Sequence, residues 1–107
     1  MKTLVIVDVQ NDFVPGGALE VPFGDEVVGV INTIQEHFDL VVATQDWHPA
    51  NHVSFASNHQ GKKPFDKIVL FDEEQVLWPD HCVQGTPGAM FHPGLDTIRF
   101  SAIFRKG

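Results

Sequence analysis

Three side chains that commonly bind metal ions lie close together in one short segment, "TQDWHPANH": Asp46, His48 and His52. Residues two apart in an extended chain project to the same side, so Asp46 and His48 are expected to face one point. A carboxylate and an imidazole suit Zn²⁺, Fe²⁺ or Mn²⁺. Three protein ligands and an open position describe a catalytic metal site, and His81 is the candidate third ligand. By spacing alone, an Asp-x-His pair in a loop is more often ordinary surface polarity.

Asp8 and Lys106 form a second candidate pair. Asp8 follows the apolar run "TLVIV", and Lys106 ends the run "SAIFRK". A carboxylate beside apolar residues is costly to bury unless a cation lies near, and Lys106 is the candidate cation. A buried salt bridge between adjacent strand ends explains the pair at least as well as catalysis does.

Three further residues have chemistry that the sequence leaves open. Cys82 is the only cysteine and lies next to His81, but adjacent residues on an extended chain point apart, so we expect a buried and unreactive thiol. Phe13 and Trp78 flank the candidate site along the chain. They could form an apolar wall for an aromatic ligand, although core packing is the usual role of both residue types.

The pattern of apolar residues predicts the elements that position these groups. The β-branched runs at 3–7 and 40–46 are typical of strands buried on both faces of a parallel sheet. Between them, apolar residues recur at helical spacing from Asp25, a plausible N-cap, to Phe38. Strand, helix and strand make a βαβ unit, and "SAIFRK" predicts a third strand. The candidate residues therefore fall at the carboxyl ends of strands, where α/β folds place their sites.

The rest of the chain predicts an incomplete fold. From Trp47 to Gly94 no long periodic element is evident, apart from a short helix or turn expected near Glu73 to Leu77. A parallel sheet needs helices on both faces, and only one helix is indicated. We therefore expect a fragment or half of a shared fold, with apolar surface left uncovered and a tendency to associate.

Composition limits the classes of function. The chain has 107 residues, enough for one small domain, and 43% are apolar. Its formal net charge of −7 and scattered cations argue against nucleic-acid binding. A single cysteine implies no disulfide, and no segment has the length of a signal peptide's apolar core or a membrane span. The sequence therefore predicts a cytoplasmic protein without a membrane association.

Four motifs in order resemble the nicotinamidases of the isochorismatase-like hydrolase superfamily: "IVDVQNDFVPGGAL", "ATQDWHPANHVSF", "WPDHCVQGTPGAMFHP" and "IFRKG". The resemblance implies a three-layer α/β/α, Rossmann-like parallel sheet that is truncated after the third strand. It also implies that residues 1–107 are the N-terminal portion of one domain.

The resemblance implies hydrolysis of nicotinamide to nicotinate and ammonia by a Cys–Asp–Lys triad beside one divalent metal ion, zinc before iron or manganese. It makes Asp8 the general base and Lys106 the triad lysine. The implied metal ligands are Asp46, His48 and His81, and the implied walls around the pyridine ring are Phe13 and Trp78, with Leu19 and Val21 nearby.

The resemblance also leaves alternatives. The family's nucleophilic cysteine lies beyond the "RKG" motif, so the chain alone is expected to be inactive and to pair with itself or with a C-terminal half. The competing hypotheses are a related amidohydrolase acting on another small amide, and a non-catalytic metal-binding or partner module. Whether His52 is a ligand stays open.

Overall fold

A computed structural model describes the whole chain, Met1 to Gly107. The regular elements, in chain order, are strand β1 (Thr3–Val7), helix α1 (Glu26–Ile34), strand β2 (Leu40–Asp46), strands β3 (Lys67–Leu70) and β4 (Glu73–Val76), and strand β5 (Ala102–Lys106). The bounds of β1 and β2 are those that the apolar runs predict, and β5 confirms the third strand. None of the helices has the length and apolar character that crossing a membrane requires.

Three of the strands form a parallel sheet in the order β1-β2-β5, so β2 lies in the middle. Val7 of β1 is aligned with Thr44 of β2, and Asp46 of β2 is aligned with Lys106 of β5. This register brings the three carboxyl ends to one edge of the sheet. The α/β class with a parallel sheet is therefore confirmed.

One face of this sheet carries the apolar core. Ile6, Val41 and Ala43 pack there against Val28 of α1 and Leu95 of the segment before β5. Asp25 occupies the predicted N-cap position of α1, but its side chain makes no capping hydrogen bond. The core is thus built between α1 and one face of the sheet.

The opposite face of the sheet is largely exposed. Val5 is 53% exposed, Val7 61% and Phe104 58%, although Ile6, between the two valines of β1, is buried in the core. The prediction that β1 is buried on both faces is therefore wrong. The physical reason is that α1 covers one face and no element of this chain covers the other.

Strands β3 and β4 form an antiparallel hairpin in the stretch where the sequence indicated no regular element. Phe71 and Asp72 make the two-residue turn, with φ of 51° and 65°, as the type I′ hairpin turn requires. The expected helix or turn near Glu73 to Leu77 is wrong, because this segment pairs with β3. Glu and Gln favour helices weakly, and backbone pairing overrides that preference.

Candidate metal and acid–ammonium site

Lys106 joins the two candidate pairs into one cluster. Its Nζ donates a hydrogen bond to Asp8 Oδ2 at 2.8 Å and another to Asp46 Oδ1 at 2.5 Å. The other oxygen of Asp8 accepts a hydrogen bond of 2.7 Å from the Thr44 hydroxyl. The sheet register explains part of the arrangement, since Asp46 is aligned with Lys106 and shares a face with Thr44. Asp8 follows the last aligned residue of β1, and its backbone φ of 54° departs from the strand conformation where its side chain joins the cluster.

The electrostatics of Lys106 favour its charged form. Burial lowers the pKa of the ammonium, but hydrogen bonds and charge attraction from Asp46 and Asp8 outweigh burial, so the pKa lies above its ordinary value. The lysine therefore stays protonated at neutral pH. Two carboxylates beside one ammonium keep a net negative charge at this edge of the sheet.

Asp46, His48 and His81 form the second part of the site. One ligand atom from each of them lies within 4.8 Å of the others, and His48 Nε2 is 3.4 Å from Asp46 Oδ2. Both histidines are buried. Asp46 thus presents one oxygen to Lys106 and the other to His48. This donor set fits a divalent ion of the zinc type.

Hydrogen bonding decides which ring nitrogens are free to bind a metal ion. Nδ1 of His81 lies 2.8 Å from the carbonyl oxygen of Pro79, which can only accept, so Nδ1 carries the proton and Nε2 has the free lone pair. At His52 the situation is reversed. The Ser54 backbone N–H donates to His52 Nδ1, so neutral His52 carries its proton on Nε2.

His52 therefore lacks a free lone pair in this conformation, and it lies outside the three-residue cluster. Its ring instead contacts the ring of His48, with centroids 4.6 Å apart. His48 itself has a lowered pKa, chiefly because burial disfavours the imidazolium. A neutral His48 is the form that binds metal ions.

A pairing of two loops carries His81 to His48. Residues His48 and Val83 form a parallel bridge, in which the His48 N–H donates to the Cys82 carbonyl and the Gln84 N–H donates to the His48 carbonyl. These short backbone contacts align segments more than thirty positions apart in the sequence. The ring centroids of His48 and His81 are consequently 4.9 Å apart.

Cys82 is fully buried beside this pairing. Burial first, and then the neighbouring carboxylates of Asp12 and Asp46, raise the pKa of the thiol to about 12. Its Sγ lies 3.9 Å from the Gly88 carbonyl. The expectation of an unreactive thiol agrees with this environment.

The two aromatic residues proposed as substrate walls have different surroundings. Phe13 lines a cavity of about 200 Å³ together with Asp8 and Val21, and its ring centroid is 5.7 Å from that of His81. Trp78 does not line this cavity. Its ring packs edge-on against Phe65 at the base of the hairpin, with centroids 6.0 Å apart. Phe13 therefore borders the cluster from within the cavity, whereas Trp78 does not.

Sequence reasoning missed two residues that shape the site. Thr44 holds one oxygen of Asp8, and Gln10 bonds to the main chain of Asp46 through its side-chain amide. Thr44 carried a usable signal, because it precedes Asp46 by two positions and so shares its face. No sequence pattern predicts the role of Gln10, because its amide bonds to a strand that is more than thirty residues away in the sequence.

Comparison with known protein families identifies the class of protein to which this chain belongs. The isochorismatase domain family matches residues 2–106, and the chain belongs to this family. Among curated relatives, a nicotinamidase of Acinetobacter baylyi is 57% identical over 104 residues, covering 97% of this chain and 49% of that protein.

Solved structures agree with that family. A nicotinamidase pyrazinamidase of Acinetobacter baumanii superimposes with a TM-score of 0.93 at 54% identity, covering 98% of this chain and 51% of that one. A pyrazinamidase of Pyrococcus horikoshii in complex with zinc has a TM-score of 0.70 at 41% identity, covering 98% and 51%. The chain spans about half the length of the relatives it matches.

Proposed function

We propose that this chain supplies the metal-binding and acid–ammonium parts of an amidohydrolase that converts nicotinamide to nicotinate and ammonia. The observation that carries the proposal is the shared Lys106, which bonds to both Asp8 and the candidate metal ligand Asp46. Nicotinamidases among the relatives support the substrate. The proposal covers the role of Asp8 as general base and of Lys106 as its charge partner.

We propose one divalent ion, zinc, held by Asp46, His48 and His81. Zinc in the related pyrazinamidase and the free Nε2 of His81 support this assignment. When bound, such an ion supplies Lewis acidity and a fixed contact for a polar atom of the substrate. Two residues of the chain have the other proposed roles. Phe13 orients a flat ring in the cavity, and a carboxylate oxygen of Asp8 accepts a proton and later returns it.

The nucleophile is the part that this chain does not provide in usable form. The only thiol, Cys82, is fully buried, and its raised pKa disfavours the thiolate that attacks an amide. We therefore propose that catalysis needs a cysteine from further polypeptide, paired with the open face of the sheet. The same pairing would cover Val5, Val7 and Phe104.

Metal binding is tested by titrating the purified chain with Zn²⁺ in a calorimeter. We expect one site in the wild type, strongly weakened binding in His48→Ala and His81→Ala, and unchanged binding in His52→Ala. The last variant is the matched control, because it removes an adjacent imidazole that has no free lone pair. Equal loss in His52→Ala would contradict the three-ligand assignment.

Activity is tested by mixing the chain with the C-terminal half of the Acinetobacter baylyi nicotinamidase and measuring ammonia released from nicotinamide. We expect hydrolysis by the mixture only, and loss of it in Asp8→Asn. A panel of other small amides tests the competing substrate class. Zinc binding without hydrolysis of any amide by the mixture would favour a non-catalytic metal-binding module.

A further inference from the structure

Gln10 is fully buried, and its side-chain amide bonds only to main-chain groups. Its Nε2 donates to the carbonyl oxygens of Asp46 and Ala89, each at 2.8 Å, and its Oε1 accepts from the Asp46 N–H at 2.9 Å. The Gln10 amide therefore bonds to both main-chain polar groups of Asp46, its N–H and its C=O. The side chain acts on Asp46 as a second peptide group would.

The end of β1 explains why a side chain, rather than a neighbouring strand, bonds to the main chain of Asp46. The backbone of β1 makes its last bond to β2 through the Asp8 N–H and the Thr44 carbonyl. At Asp8 the chain turns out of the sheet with φ of 54°, so no main-chain partner remains for the next position of β2. Asp46 N–H and C=O would then be buried without partners, which is strongly unfavourable.

Asp46 is held from both sides as a result. Gln10 fixes its main chain, and Lys106 Nζ bonds to its Oδ1, which leaves Oδ2 directed toward His48. A carboxylate on a fixed backbone, with one oxygen already bonded, has little freedom to turn away from the imidazoles. Loss of such outer contacts typically weakens metal binding about 10- to 100-fold.

We infer that Gln10 is a positioning residue for the metal site: its amide replaces a missing strand partner and so fixes Asp46 as a ligand. This inference rests on the proposed function, because it concerns the same candidate ions. It assigns no contact between Gln10 and substrate or metal. Its effect acts through the Asp46 backbone alone.

The variant Gln10→Met tests the inference, because methionine has a similar shape and no hydrogen-bonding amide. The matched control is Gln35→Met. Gln35 is equally buried, and its amide donates at 2.9 Å to the Asp96 carbonyl in a part of the fold remote from the site. Both variants lose a buried amide, so both are expected to be less stable than the wild type. Comparing their melting temperatures shows whether an effect of Gln10→Met on metal binding is more than general destabilisation.

Titration with Co²⁺ alone reads out the site without any activity measurement. We expect Gln10→Met to bind Co²⁺ about 10- to 100-fold more weakly than the wild type, with a changed visible absorption spectrum. Gln35→Met should keep the wild-type affinity and spectrum. Amide exchange at Asp46, followed by NMR, should accelerate only in Gln10→Met.

The outcomes separate this inference from the proposed function. If the wild type binds Co²⁺ and Gln10→Met matches it in affinity and spectrum, the positioning role is refuted and the metal site stands. If the wild type binds no Co²⁺, both are refuted. Should Gln10→Met fail to fold, Gln10→Glu takes its place with the same expected loss of affinity, because it keeps the acceptor oxygen and removes the amide donors.

Discussion

At the scale of single residues, the site depends on how one ammonium is shared between two carboxylates. Asp8 and Asp46 have side chains only 18% and 14% exposed, and Lys106 lies between them. Two partly buried carboxylates without a cation would repel each other and lose solvation. Lys106 therefore stabilises the folded chain as well as the proposed chemistry.

Replacing Lys106 by methionine should lower the free energy of unfolding by about 1–2 kcal/mol near neutral pH, less than for a fully buried pair because the lysine is half exposed. The pKa of Lys106 is raised in the folded state, so its contribution is complete below the ordinary value of 10.5 and is lost as pH rises through the folded value. The stability difference between wild type and Lys106→Met should thus shrink in strongly alkaline buffer. Urea unfolding at several pH values measures it.

The control for this experiment is Lys67→Met, which removes a lysine from the exposed ion pair with Glu74. Exposed pairs contribute little, so this variant should change stability by less than about 0.5 kcal/mol at any pH. Equal effects of the two substitutions would contradict the special role of Lys106.

Cys82 gives a second prediction at the residue scale. Because the thiol is fully buried and its pKa is raised to about 12, it should not react with a thiol reagent in the folded protein near neutral pH. In the unfolded chain the pKa returns toward the ordinary 9.0, so concentrated guanidinium should give complete labelling in mildly alkaline buffer. Rapid labelling of the folded protein would show an accessible thiolate. Mass spectrometry of the alkylated chain measures both.

At the scale of elements, the sequence predicted those features that depend on local pattern. The apolar runs predicted β1 and β2 with their observed bounds, and the polar residues at the strand ends predicted the pairing of Asp8 with Lys106. The second bond of Lys106, to Asp46, was not predicted. What it could not predict depends on contacts distant in sequence. The hairpin pairs short segments without a clear apolar alternation, and the exposure of one face of β1 depends on what packs against it.

The turn of the hairpin allows a test at this scale. Phe71 and Asp72 both have left-handed φ values, which cost about 1 kcal/mol or more at Phe71, because only Gly, Asn and Asp adopt this conformation readily. Replacing the pair by Asn-Gly should stabilise the hairpin by about 1 kcal/mol and slow amide exchange in β3 and β4. Alanine at both positions is the control, since it removes the exposed phenyl ring without easing the backbone. Equal protection in the two variants would contradict the role of the turn.

At the scale of the whole molecule, the dominant feature is a sheet with one apolar face uncovered. Val5, Val7 and Phe104 lie on that face, next to the polar cluster at its carboxyl edge. The groove between β1 and α1 adds further exposed apolar side chains, Val27 and Val30 among them. Patches of this kind are typical of surfaces that bind another polypeptide. The same face would thus serve both association and completion of the proposed active site.

This surface predicts self-association of the isolated chain. We expect sedimentation to show mass increasing with concentration, and the double substitution Val5→Lys and Phe104→Lys to shift the chain toward monomer, because charges on the face oppose apolar contact. Val69→Lys is the matched control, since Val69 is 76% exposed on the hairpin, away from this face. The lysine variants should also lose pairing with the C-terminal half of a relative, while Val69→Lys keeps it. A wild-type chain that sediments as a monomer at every concentration would show that the exposed face does not drive association.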